Sequence, residues 1–217
     1  MPSVVVFDCF DTLVTSRPLP DAETWPAVLA ETLDLDARDS GAVVREVFGT
    51  LYTAMSDRSA TQPATLHLLE AALRKRGLIR DRPDQERALW QALGCDDPGQ
   101  YQLCAPVAEA LRRAADAGHT VRLLSNCYLP GSQMRLLLER LGVPPVWERA
   151  LFTADGGPKK PDPRAFGRVG DGDFQRRVMV GDSAELDIVP AAALGWETVH
   201  IDPAAPDPAP LYELLGC

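Results

Sequence analysis

The chain has 217 residues, 46% hydrophobic and 24% charged, enough to bury a core without disulfides or a structural metal. Its formal net charge of −9 argues against a nucleic-acid partner, which needs clustered Lys and Arg, but leaves room for a small anionic substrate at one local positive site. No apolar run reaches the roughly 18 residues of a transmembrane helix. The cysteines (Cys9, Cys95, Cys104, Cys127 and Cys217) are odd in number and form no CxxC pair, and the chain starts on a strand-like run rather than a signal peptide; the expected location is the cytoplasm, with free thiols.

Short apolar runs alternate with amphipathic stretches, the pattern of βαβ units on a parallel sheet. Strands are expected at SVVVFD (3–8), HTVRLLSN (119–126), ALFTAD (150–155), RRVMVGD (176–182) and WETVHID (196–202). Between them, helices are expected over 106–118, entered at Pro106 and stopped by Gly118, over 131–142, over 162–170, and over 185–195, where Pro190 starts or bends the helix. The segment from Arg17 to Gly99 is different. It contains no strand pattern and reads as four helices, near 22–34, 40–56, 62–76 and 83–93. A single crossover needs only a dozen or so residues, so this segment reads as a helical cap over 17–99 rather than a helical layer, with 1–16 and 100–217 forming the sheet-bearing core. The Pro-rich tail ends in a short LYELLG turn.

Four places carry chemistry, each just after a strand. Ligands of open α/β sheets bind outside the carboxyl ends of the strands, so distant positions can converge there. Asp8 ends the first strand in VVVFDCFDTLV, where a carboxylate is costly unless it meets a cation or reacts. Ser125, in LLSN, offers a hydroxyl and nearby backbone N–H groups to an oxyanion. Lys160, in GGPKKPDPRAF, can pair with a phosphate and with Asp8. Asp182 and Asp187, in VMVGDSAELD, are spaced to share one side of a strand-to-helix turn, and with a third acid they suit Mg²⁺, which takes oxygen ligands. Taken singly, each has an ordinary reading as a turn residue, helix cap or surface charge.

Together, in this order, they resemble the four motifs of the haloacid dehalogenase-like superfamily, from Ser3 to Ile201. The resemblance implies an α/β fold, a doubly wound Rossmann-like parallel sheet with a small helical cap inserted after the first motif, as in the dehalogenase and phosphoglycolate phosphatase branches. The stretch between Asn126 and Lys160 is too short for the larger cap of other relatives. It also implies roles. Asp8 would attack and become a covalent aspartyl ester or phosphate. Thr12, Ser125 and Asn126 would bind the transferring group, and Lys160 would neutralise its charge. Asp8, Asp182 and Asp187 (directly or through water) would hold Mg²⁺, with the backbone carbonyl of Phe10.

One position departs from the pattern. Phosphatases of the family carry a second Asp two residues after the nucleophile, as acid and base; here that residue is Phe10. Asp11 takes a place that is usually Gly, sometimes Asp or Asn, and Thr12 keeps the register, so Asp11 is not a shifted copy. Losing such a group costs about 10²–10⁴-fold. Three readings stay open: a Mg²⁺-dependent phosphatase acting on a small phosphorylated metabolite, a dehalogenase-like or phosphonate hydrolase, and a catalytically weak small-molecule binder. The paired Asp182 and Asp187 favour the first, because dehalogenases of the family need no metal and lack them. Lys75, the cap's only lysine, sits between Arg74 and Arg76 as on a solvated face. Arg17, Arg45, Tyr52 and Arg58 are candidate substrate-selecting residues, each with an ordinary surface or packing reading. His67 and Trp25 read as packing residues, and Cys9 and Cys127 as structural thiols.

Overall fold

The computed structural model describes residues 3–20, 23–59, 61–146 and 148–216. Cys217, and residue 22 at which the first helix is expected to begin, lie outside them. In chain order, β1 (Ser3–Phe7) and a short β2 (Val14–Ser16) lead into four helices: α1 (Trp25–Leu33), α2 (Ala37–Ser56), α3 (Thr65–Arg74) and α4 (Arg82–Ala92). Then come β3 (Tyr101–Leu103), α5 (Ala105–Asp116), β4 (Thr120–Ser125), α6 (Gly131–Arg140), β5 (Leu151–Phe152), α7 (Pro163–Gly170), β6 (Arg176–Gly181), α8 (Val189–Ala193), β7 (Glu197–His200) and α9 (Ala209–Leu215). A π-helical turn, Ala184–Ile188, joins β6 to α8, and Pro190 lies in the first turn of α8.

β1 is buried along its whole length, as a β-branched run without polar alternation should be at the centre of a parallel sheet. β4 and β6 pair with it in parallel on either side, giving the order β5-β4-β1-β6-β7. The chain fills one side of β1 and then the other, so the switch point, where ligands of such sheets bind, lies between the carboxyl ends of β1 and β6. Side chains alternate across the strand. Val4 and Val6 face Ala165, Phe166 and Val169 of α7 and Ala191 of α8; Val5 and Phe7 face a larger core that includes α5 and α6. The sheet is therefore doubly wound.

The four inserted helices pack on one another through apolar stripes such as Val43, Val47 and Leu51 of α2, and Trp25 stacks on Phe48 with ring centroids 4.0 Å apart. Asp36 and Asp81 cap α2 and α4 by accepting from Asp39 N and Asp84 N. The chain leaves and re-enters the sheet-bearing part through an antiparallel ribbon, β2 against β3, which the sequence did not reveal because three-residue strands carry no period. His67 corrects an expectation: it is exposed on α3, because the buried stripe of that helix runs through Leu66, Leu69, Ala72 and Leu73. Among the described residues, no helix is long and apolar enough to cross a membrane.

Candidate active site

The pairing of β1 with β6 continues one residue beyond the strand, where Asp8 N–H donates to Val180 O at 2.8 Å. The chain then folds back: Leu13 N and Val14 N both donate to Cys9 O, and Asp11 N to Val14 O. Asp11 takes up this turn at φ 61°, the left-handed region that Gly, Asn and Asp tolerate best. It is exposed, while Thr12 is buried and donates its hydroxyl to Asp182 Oδ1 at 3.1 Å. Phe10 is half-buried, with its ring 6.0 Å from that of Tyr101.

Lys160 is 2% exposed, and its Nζ lies 2.6 Å from both Asp8 Oδ1 and Asp187 Oδ1. Asp187 is fully buried, and its other oxygen accepts from Ser183 N at 3.1 Å. Asp182 is held by Thr12 and by His200, whose Nε2 lies 2.6 Å from the Asp182 carbonyl oxygen. Carboxylate oxygens of Asp8, Asp182 and Asp187 lie within 4.8 Å of one another.

Asp8 and Asp187 share one ammonium, and with Asp182 within 4.8 Å of both the ionised site carries an excess of negative charge, two of its three acids being buried. Burial pushes the Asp8 carboxyl up to about 8, against the pull of Lys160 and with the push of Asp187. Asp187 is raised for the same reason. Burial opposes the charge on Lys160, but Asp8 and Asp187 outweigh it and its pKa lies above the ordinary value. A hard divalent cation fits this donor set: it takes carboxylate oxygens and neutralises the charge that burial penalises.

At the end of β4, beside β1, the Ser125 hydroxyl is buried and has no hydrogen-bond partner among the described residues, which suits a group that receives an oxyanion. The Asn126 amide is engaged on both sides by the Lys160 backbone, donating to Lys160 O at 2.9 Å and accepting from Lys160 N at 3.0 Å. It braces the lysine loop, and it also lines the cavity beside Phe10. The Cys9 and Cys127 thiols are buried and raised, Cys127 to about 12, so both stay protonated.

Sequence reasoning passed over three supports. Lys159, beside Lys160, is buried and donates to Asp57 O at 2.6 Å, tying the lysine loop to the end of α2. Gln62 pairs its backbone with Gly157 in both directions at 2.8 Å. His200 carries no motif, and only its place at the end of β7 could have pointed to it. Of the candidate selecting residues, Arg17 pairs with Asp97 and Arg58 with Glu185, while Arg45 and Tyr52 are exposed on α2. Lys75, expected on a solvated face, is exposed and reaches Glu46 at 3.3 Å.

The sequence model of haloacid dehalogenase-like hydrolase matches residues 2–195. None of the curated proteins compared with the chain matches it. Among solved structures, a 2-haloacid dehalogenase from Pseudomonas syringae pv. tomato is 23% identical with a TM-score of 0.58, covering 95% of this chain and 89% of its own. A HAD phosphatase from Thermococcus onnurineus is 20% identical with a TM-score of 0.52, covering 93% and 86%. The HAD-hydrolase YfnB from Bacillus subtilis, bound to magnesium, is 17% identical with a TM-score of 0.53, covering 100% and 99%. At these identities the likeness is one of fold.

Proposed function

The chain belongs to the haloacid dehalogenase-like hydrolases, and within that family we propose that it is a Mg²⁺-dependent phosphatase acting on a small phosphorylated molecule through Asp8. The observation that carries this reading is the meeting of Asp8, Asp182 and Asp187 at one point beside Lys160. Asp8, Asp182 and, directly or through water, Asp187 would hold the cation, with the Phe10 carbonyl. The bound ion supplies charge neutralisation that lets an anionic nucleophile approach an anionic phosphate.

The chain's own residues do the rest. Lys160 keeps Asp8 oriented through one oxygen and balances charge on the transferring group. Asp8 attacks phosphorus, and the leaving oxygen departs from the opposite side, giving an aspartyl phosphate that water hydrolyses. Ser125 donates to a phosphoryl oxygen. Thr12 holds Asp182 in place, and Asn126 holds the backbone of Lys160. The four-helix insertion over 17–99 acts as a cap that keeps water from the site.

The test is phosphate release from a panel of phosphorylated metabolites and halide release from 2-haloacids, each with and without Mg²⁺. Metal-dependent phosphate release supports the proposal. Metal-independent halide release favours a dehalogenase instead, and ligand binding without turnover favours a binder.

A further inference from the structure

A cavity of about 150 Å³ lies between the sheet's catalytic loops and the inserted helices. Phe10, two residues after Asp8, and Cys127, two after Ser125, belong to its wall. Leu19, Met55, Leu93 and Tyr101 line it from the other elements. Among the described residues, no Asp, Glu, His, Lys or Arg lines it. The Tyr101 hydroxyl is committed to Leu93 O at 2.7 Å.

Two consequences follow. An occupant finds no charge to pair with and mostly apolar side chains to touch, so it is uncharged and apolar. An apolar cavity of this volume is the size that accepts a benzene ring, and the tilted Phe10 and Tyr101 rings offer faces and edges for one. The cavity houses the ring and not the oxygen that joins it to phosphorus, and its wall offers that oxygen no carboxyl or imidazole as a proton donor. The bond therefore breaks most readily where the oxygen leaves as a stable anion, as a phenoxide does far better than an alkoxide.

We propose that the cavity takes the single-ring aryl group of an aryl phosphate monoester. The inference rests on the phosphatase reading and names the substrate class for that site. Asp8 Oδ forms a bond to phosphorus as the aryl O–P bond breaks, and the phenoxide leaves with the electron pair. Water then attacks phosphorus, the P–Oδ bond breaks and Asp8 is restored as a carboxylate. The water's proton reaches solvent, from which the phenoxide takes one, so the products are a phenol and inorganic phosphate.

Turnover alone would favour aryl esters for their leaving group, so the test reads binding. Calorimetry with the full chain in Mg²⁺ would compare phenylphosphonate, methylphosphonate and phosphonoacetate. Phenylphosphonate should bind at least about tenfold more tightly than methylphosphonate, from burial of the ring, and phosphonoacetate should bind worse than either. Met55→Glu and, separately, Leu19→Glu, both at partly exposed positions, should cut the phenyl preference to within about threefold once circular dichroism shows a folded protein. Equal binding of the three, tightest binding of phosphonoacetate, or an unchanged preference in both variants overturns the aryl assignment and leaves the phosphatase reading standing. Binding of none of the three in Mg²⁺ removes the phosphatase reading, and the aryl assignment with it.

Discussion

Asp187 stands where a side chain at Gly181 would have to go: a Cβ there would lie 2.5 Å from Asp187 Cγ and 2.6 Å from Asp187 Cβ. The strand that ends beside Asp8 thus makes room for a buried acid by giving up its own side chain. Gly181→Ala should push Asp187 away from Lys160 and from the other two acids. A displacement near 1 Å can cost about 10²-fold in rate. The expected outcome is a folded protein with at least about tenfold lower metal-dependent turnover and weaker Mg²⁺ binding. Wild-type values for both would show that Asp187 takes no part.

Magnesium affinity should depend on pH through Asp8. Its carboxyl is raised by burial to about 8, so at neutral pH the cation must displace a proton, and binding releases it. Apparent affinity should rise as pH increases towards about 8 and level off above it. Calorimetry at pH 6.5 and 9, in buffers of different ionisation enthalpy, reads both affinity and proton release. Asp182→Ala should weaken binding at both values. Equal affinity at the two pH values would contradict Asp8 as a ligand, and an Asp182→Ala protein with wild-type affinity would contradict the site.

Asp8→Asn should abolish turnover and leave the fold intact, because the amide has nearly the shape of the carboxylate and none of its nucleophilicity. Stability carries a second signature. The folded pKa of Asp8 lies above its ordinary value, so its contribution is fully present below the unfolded value and is lost as pH rises through the folded one. The Asn variant has no such loss. In metal-free buffer, its melting temperature relative to wild type should climb between pH 4 and pH 9. A difference that stays flat over that range would mean that Asp8 is not the strained acid of the site.

The sheet was legible because its signal is local: Val4, Val5 and Val6 announce a strand buried on both faces without reference to anything else. The positions of Asp8, Lys160, Asp182 and Asp187 were legible only as a set: Asp8 and Asp182 directly follow β1 and β6, and the order of all four resembles the motifs of the family. What each side chain touches was not. Asn126 follows Ser125, and the sequence cannot say that its amide closes on the backbone of Lys160. Met55 lies in α2 and Leu93 just past α4, and only tertiary packing brings them into one cavity with Phe10. His67 failed because an isolated histidine among apolar residues fits either face of a short helix.

Phe10 offers the sharpest test of the chemistry. Phe10→Asp should raise turnover of alkyl phosphates, whose leaving oxygen needs a proton, by up to about 10²-fold, the lower end of what acid–base catalysis supplies. The new carboxyl would stand two residues from Asp8, in an apolar wall beside Tyr101 and Cys127. Burial there favours its protonated form, which is the state required to donate to a departing oxygen. The same change puts a polar group into the cavity, so aryl phosphates should gain less in turnover and lose affinity. Removing the ring from its place against Tyr101 should lower the melting temperature by several degrees, in line with about 1–3 kcal/mol for a half-buried aromatic. The measurement is kcat and KM for phenyl and alkyl phosphates with both proteins in Mg²⁺, after circular dichroism has verified the fold. A folded Phe10→Asp protein that gains on no phosphate would mean that protonation of the leaving group is not what this site lacks.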